Sequence, residues 1–206
     1  MSKKPIIVFE GIEGSGKSHH ISIVSKYLSK KKISHIKIRE PGGNQNSEKI
    51  RKLILNNNSN FNKDTDLLLY MAARSENMNI IKKSFNKKII LIDRFTDSTI
   101  AYQHYGMGVD LNLIETLNKY LLKDIRVSFT FLNIVNQKNL QKRLKQRQSL
   151  NRYDKFKMSF YNKVQKGFLD LSKKQKNKYQ LINSNLDINK NEKLILDKID
   201  RLIKWI

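Results

Sequence analysis

The chain of 206 residues contains no cysteine. A disulfide framework and a cysteine-ligated zinc site are both excluded. Histidine is scarce, with His19, His20, His35 and His104 in no HExxH-type spacing, so a bound metal is expected to be a hard ion on oxygen ligands. No uninterrupted apolar run reaches the roughly 18 residues of a membrane span. The opening "MSKKPIIVFEGIEG" passes from two lysines through a short apolar run to an acid, too little for a signal-peptide core. The expectation is a cytoplasmic chain with no membrane partner, folded as one domain over 1–206.

Acidic residues are also in short supply: 18 Asp and Glu face 41 Lys and Arg, a formal net charge of +23. Such a surface attracts phosphate polymers. The lysines, however, are spread over "SKKKIS", "IKKSFNKK" and "SKKQKNKY" among a surplus of Asn and Ile, and no RNA-recognition, KH or helix-turn-helix pattern accompanies them. The charge reads as drift in composition, and no nucleic-acid partner is expected.

What is present alternates. Short, β-branched apolar runs at Ile6–Phe9, Ile36–Ile38, Ile89–Ile92, Val127–Leu132 and Tyr179–Ile182 read as buried strands. Between and after them, Lys17–Lys31, Asp64–Phe85, Leu111–Leu122, Gln137–Gln148, Asp154–Lys174 and Asn191–Trp205 carry helical periodicity. The order predicts an α/β fold, a five-stranded parallel sheet flanked by helices. "NNNSN" at 56–60 is a polar loop.

The first strand runs into "FEGIEGSGKS". Gly11, Gly16, Lys17 and Ser18 fill GxxxxGK[ST] between a predicted strand and a predicted helix, the context that motif requires. The loop Gly11, Ile12, Glu13, Gly14, Ser15, Gly16 turns successive N–H groups toward one point, and the helix N-terminus adds partial positive charge. Lys17 neutralises β and γ phosphates, and the Ser18 hydroxyl ligates magnesium. Bound MgATP is thus expected, in a P-loop NTPase fold. Asp93 ends the strand "IILID" at the same sheet edge, where a magnesium-associated acid belongs, and Arg94 beside it can bind a second phosphate. Glu10, at the end of the first strand, reads as a local ion pair.

One segment fits the layered core poorly. "QKRLKQRQSLNRYDK", 141–155, is almost wholly polar and carries Arg143, Arg147 and Arg152. It is either a solvated helix end or a lid, about 143–155, closing over a charged ligand.

Two further stretches are specific. "REPGG" (39–43) follows the second strand and "DRFTDSTIAYQ" (93–103) follows the third; with the phosphate loop and "LLLYMAAR" (67–74) they resemble the thymidylate kinase family, ATP:dTMP phosphotransferases. The likeness runs in order from Ile6 to about Ile182. It implies that Tyr70 stacks on thymine and that Arg74, one helical turn on, donates to thymine O4. It implies that Thr99 and Gln103 lie at the base edge and that Tyr102 lies under the sugar, leaving little room for a 2′-hydroxyl. Arg51 and Arg94 match arginines holding the 5′-phosphate, Glu40 an acid in that pocket, and Glu13 an acid reaching for the 3′-hydroxyl. "NRYDK" at 151–155 looks like the family lid, whose arginines approach the ATP phosphates and adenine, Arg143 among them. Some relatives carry a catalytic arginine in the phosphate loop immediately after the acid. Gly14 stands there in this chain, so the lid is expected to supply it, from Arg152 first and Arg147 next. His19 and His20 replace a common Ser or Thr, and Met107 a frequent basic residue; none is expected to touch reacting atoms. A homodimer is also implied. On residues alone, a P-loop kinase for another nucleoside or nucleotide and a P-loop switch or nucleic-acid-binding ATPase stay open.

Overall fold

In the computed structural model, which describes residues 4–204, five strands form one parallel sheet. They are β1 (Ile6–Glu10), β2 (His35–Arg39), β3 (Ile89–Asp93), β4 (Phe129–Ile134) and β5 (Tyr179–Asn183), in the order β2-β3-β1-β4-β5. The central β1 pairs with β3 on one side (Phe9 beside Asp93) and with β4 on the other (Glu10 beside Leu132). After β1 the chain turns first toward β2 and β3 and later back to β4 and β5. The crevice at this change of direction lies at the carboxyl ends of β1, β3 and β4, where an open parallel sheet binds its ligands.

Alternation along β1 explains the two layers of helices. Ile7 and Phe9 join Val24 and Leu28 of α1 (Lys17–Lys30) and Ile195 and Ile199 of α8 (Ile188–Ile203). Ile6 and Val8 point to the other face, among Ile90, Ile92, Phe95, Ile125 and Met78 and Ile81 of α3 (Lys63–Ser84). Each such buried aliphatic stabilises the fold by about 1.5–3 kcal/mol relative to exposure. A third apolar cluster joins Tyr102, Tyr161, Val164 and Phe168 to Tyr153 of the 143–155 segment.

The helices depart from expectation at several points. The sequence reading missed α2 (Gln45–Leu55), which is started by Asn44 accepting the Ser47 N–H at 2.9 Å. After β3, a turn of α-helix (α4, Thr96–Thr99) passes into a π-helix over Ile100–Gly106. α5 (Leu111–Leu122) agrees with its prediction, and α6 (Gln137–Lys145) ends three residues early. The helix predicted from Asp154 is instead a 3-10 turn over Arg152–Lys155 followed by α7 (Met158–Lys174), because Asn151 and Asp154 cap the short turn reciprocally. Trp205, predicted to end the last helix, lies outside the described residues. Among those described, no helix is long and apolar enough to cross a membrane.

Candidate active site

The loop between β1 and α1 wraps around its own lysine. Lys17 Nζ donates to the carbonyls of Gly11 (2.9 Å) and Ile12 (2.8 Å), and burial, with Arg94 nearby, lowers its pKa from 10.5 to about 8. Gly11 has φ +135°, and a Cβ there would run into the Asn133 carbonyl. Gly14 has φ +66° and lies against Arg143, so the position that holds an arginine in some relatives is here a left-handed turn under an arginine from α6. Arg143 donates to the carbonyls of Gly14 (2.7 Å) and Ser184 (2.6 Å), tying α6 to the loop.

Arg94 follows β3 with φ +66°, an uncommon conformation for a side chain of this size. It is held there by donation to the Gly11 carbonyl (2.8 Å), Ser98 (3.3 Å) and Glu13 Oε1 (2.8 Å), with its guanidinium over the Tyr102 ring. The other Glu13 oxygen accepts from Tyr102. Burial alone would raise the Glu13 pKa, but Arg94 and Lys17 bring it below the ordinary value. The carboxylate in the phosphate loop therefore faces Arg94 and Tyr102.

Glu10 is no ion pair, contrary to the sequence reading. Fully buried, it accepts from Phe95 N–H (2.8 Å), Ser98 N–H (3.2 Å) and Ser98 Oγ (2.5 Å), pinning the start of α4 to the end of β1. Burial, reinforced by Asp97, raises its pKa to about 7.

A cavity of about 530 Å³ opens between these elements. Glu13, Gly14, Gly16, Lys17, Ser18, Glu40, Arg51, Tyr70, Asp93, Arg94, Tyr102, Gln103, Arg143 and Arg147 all line it, so most of the residues singled out from the sequence share one space. Arg51 comes from the unforeseen α2 and donates to the Pro41 carbonyl at 2.7 Å. Tyr70 and Arg74 lie one turn apart on α3.

Six sequence-derived residues do not line the cavity: Gly11, Ile12 and Ser15 are buried within the loop itself, and Thr99, Arg74 and Arg152 sit elsewhere. Thr99 and Arg74 are buried and bonded to each other: Arg74 Nε bonds Glu40 (2.8 Å), Nη1 Asn118 (2.6 Å) and Met71, and Nη2 Thr99 (2.9 Å). These contacts use four of the five guanidinium hydrogens and leave one on Nη2. Arg152, the first choice for a catalytic lid arginine, pairs with Asp66 and lies beside the rings of Phe61 and Tyr153, away from the cavity. Arg143 and Arg147 of the same segment do line it, Arg147 paired with Asp154.

Asp66, Tyr153 and Asn118 were missed. Asp66 was legible in principle: Asp66, Tyr70 and Arg74 fall at i, i+4 and i+8, on one face of α3.

Buried oxygens without a partner among the described residues include Asp93 Oδ1, Glu40 Oε1 and Gln103 Oε1, all on lining residues. Asp93 Oδ2 accepts from Ser18 Oγ at 3.2 Å. A hydroxyl and a carboxylate with an unused oxygen fit magnesium, which takes few protein ligands and completes its shell with phosphate and water oxygens. No group of three His, Cys, Asp or Glu able to hold a metal occurs among the described residues.

A phosphate loop, an acid–arginine pair at the neighbouring strand end and a cavity with tyrosines in its wall are the parts of a P-loop kinase. A family model described as thymidylate kinase matches residues 9–195. Thymidylate kinases of Kosmotoga olearia (33% identical, 89% of each chain) and Thermosipho africanus (39%, 83% of this chain and 86% of that one) are similar in sequence. The crystal structure of thymidylate kinase from Ehrlichia chaffeensis superposes with a TM-score of 0.78 at 33% identity, covering 97% of this chain and 99% of that one. The chain belongs to the thymidylate kinase family.

Proposed function

We propose that the protein transfers the γ-phosphoryl group of ATP to dTMP, giving ADP and dTDP. A 5′-phosphate oxygen of dTMP bonds to Pγ as the bond from Pγ to the β-bridging oxygen breaks, with no covalent enzyme intermediate. The observation that carries the reading is the shared cavity: Lys17 and the phosphate loop line it together with Tyr70, Gln103, Arg51 and Arg94, and Lys17 and Arg94 both donate to the Gly11 carbonyl.

On this reading the loop N–H groups hold the donor phosphates, Lys17 leaves its carbonyls for the β and γ oxygens, and Arg143 lies against the donor nucleotide. Ser18 and Asp93 would hold magnesium, which supplies charge neutralisation on those oxygens. Tyr70 stacks on thymine, the remaining Arg74 hydrogen serves O4, and Arg51 and Arg94 hold the 5′-phosphate, with Glu40 lining that pocket. Thr99 acts through Arg74. Tyr102 underlies the sugar, and Glu13 serves the 3′-hydroxyl while fixing Arg94. Segment 143–155 is the lid, and Arg147 brings charge to the transition state as it closes and excludes water. Cytosine, with an amino group where O4 stands, leaves buried donors unpaired and is rejected. Uracil lacks only a methyl group, worth about 1–3 kcal/mol, so selection against dUMP is modest. By family likeness the enzyme is a cytoplasmic homodimer.

A coupled assay with purified protein and dTMP, dUMP, dCMP, dGMP and AMP tests the substrate. The highest kcat/KM is expected for dTMP, and preference for any of the others overturns the reading.

A further inference from the structure

We infer that Asp66 is a positioning residue that sets base specificity by fixing which end of the Gln103 amide faces the acceptor pocket; the inference rests on the reading of that pocket as a pyrimidine site. Asp66 is 1% exposed and stands on α3 one turn before Tyr70. Its Oδ1 pairs with Arg152, and its Oδ2 accepts from Tyr153 Oη at 2.5 Å and Gln103 Nε2 at 3.1 Å. A carboxylate in this position only accepts, so the Gln103 NH2 must turn toward it. The carbonyl end must then turn away. Gln103 is fully buried, lines the cavity, and its Oε1 has no partner among the described residues.

An acceptor held in that direction reads the N3 position of a pyrimidine. Thymine and uracil carry N3–H and donate to it, whereas cytosine has a lone pair at N3 and meets oxygen with nitrogen. A glutamine free to rotate its amide would serve both, because O and N exchange places in a turn of 180°. Asp66 removes that freedom. Arg152 and Tyr153, both from the lid turn, complete the carboxylate's shell, so Asp66 also ties that turn to the base pocket.

Asp66→Asn keeps the shape and lets Gln103 take either orientation. The ratio of kcat/KM for dTMP over dCMP is expected to fall at least about tenfold, while the ratio of dTMP to dUMP stays within about twofold, since both bases carry N3–H. Calorimetric binding of dTMP and dCMP should show the same change without turnover. Asp66→Asn with both ratios intact, or with all substrates weakened equally, overturns the inference and assigns Asp66 to structure alone. Arg152→Met, which keeps the carboxylate and Gln103 but removes the lid partner, gives a second arm if Asp66→Asn does not fold. It should retain the dTMP to dCMP ratio within about threefold; a collapse of that ratio means that the lid does the selecting. Failure of the wild-type protein itself to prefer dTMP over dCMP removes the pyrimidine reading, a separate outcome.

Discussion

Glu13 and Arg94 form an ion pair, 2.8 Å from Oε1 to Nη2, that joins the phosphate loop to the end of β3. The two side chains are 13% and 17% exposed, and the pair holds an arginine whose backbone is left-handed. A carboxylate in the phosphate loop thus fixes an arginine at the neighbouring strand end, and on the proposed reading that arginine serves the acceptor while the loop N–H groups are left to the donor.

Glu13→Gln should raise KM for dTMP about tenfold or more and leave KM for ATP within about twofold, because the neutral amide no longer fixes Arg94. Stability at pH 7 should fall by roughly 1–3 kcal/mol, less than for a fully buried pair. The Glu13 pKa lies below its ordinary 4.5 in the fold, so its stabilisation is present above that value and is lost as pH falls through the folded pKa. Denaturant melts should find the gap between the proteins closing in acid. Unchanged dTMP kinetics would remove Glu13 from the acceptor site.

Lys17 gives a prediction about protons. Its pKa of about 8 in the ligand-free fold leaves much of the amine neutral at pH 9, whereas ATP phosphates favour the ammonium form. Binding of ATP should take up a proton near pH 9 and none from Lys17 near pH 6. Calorimetry in two buffers of different ionisation enthalpy measures this uptake. Lys17→Met should abolish both the uptake and turnover with the fold retained, and uptake that persists in the variant would assign it to another group.

How much of this was legible varies with the source of the information. β1 announces itself because Ile6–Phe9 are apolar on both faces and end at a glycine loop. α2 does not: only Ser47 and Ile54 of its 11 residues are buried, so its pattern is too weak to separate from a polar loop, and capping and packing on α3 make the helix. The partners of Glu10 are N–H groups 85 and 88 positions along the chain, which no local pattern encodes. Asp66 carries no local signal beyond its helical spacing from Tyr70, and only the tertiary fold brings Arg152 to it, 86 positions away.

The lid arginines separate by where they point. Arg147→Ala should lower kcat at least about 100-fold with a smaller change in KM for dTMP, as expected for a charge supplied mainly in the transition state. Arg152→Ala should lower kcat less than Arg147→Ala does, because its partner is Asp66. Steady-state kinetics of the two variants decide the matter, and a larger kcat loss for Arg152→Ala restores it as the catalytic arginine.

Glu10 makes stability depend on pH in the opposite sense to Glu13. Its folded pKa of about 7 exceeds the ordinary 4.5, chiefly through burial and then Asp97, against the bonds from Ser98 and Phe95. Between these values the folded state binds the extra proton, so its contribution to stability is present below pH 4.5 and declines as pH rises to 7. A shift of this size corresponds to roughly 3 kcal/mol across the window. Glu10→Gln keeps an acceptor for the Phe95 and Ser98 N–H groups and cannot ionise, so its stability should decline less over the same range. Urea melts of both proteins at pH 5, 6, 7 and 8 should diverge in favour of the variant as pH rises. Parallel curves would mean that Glu10 is ionised in the fold throughout, with the start of α4 held by a full carboxylate charge.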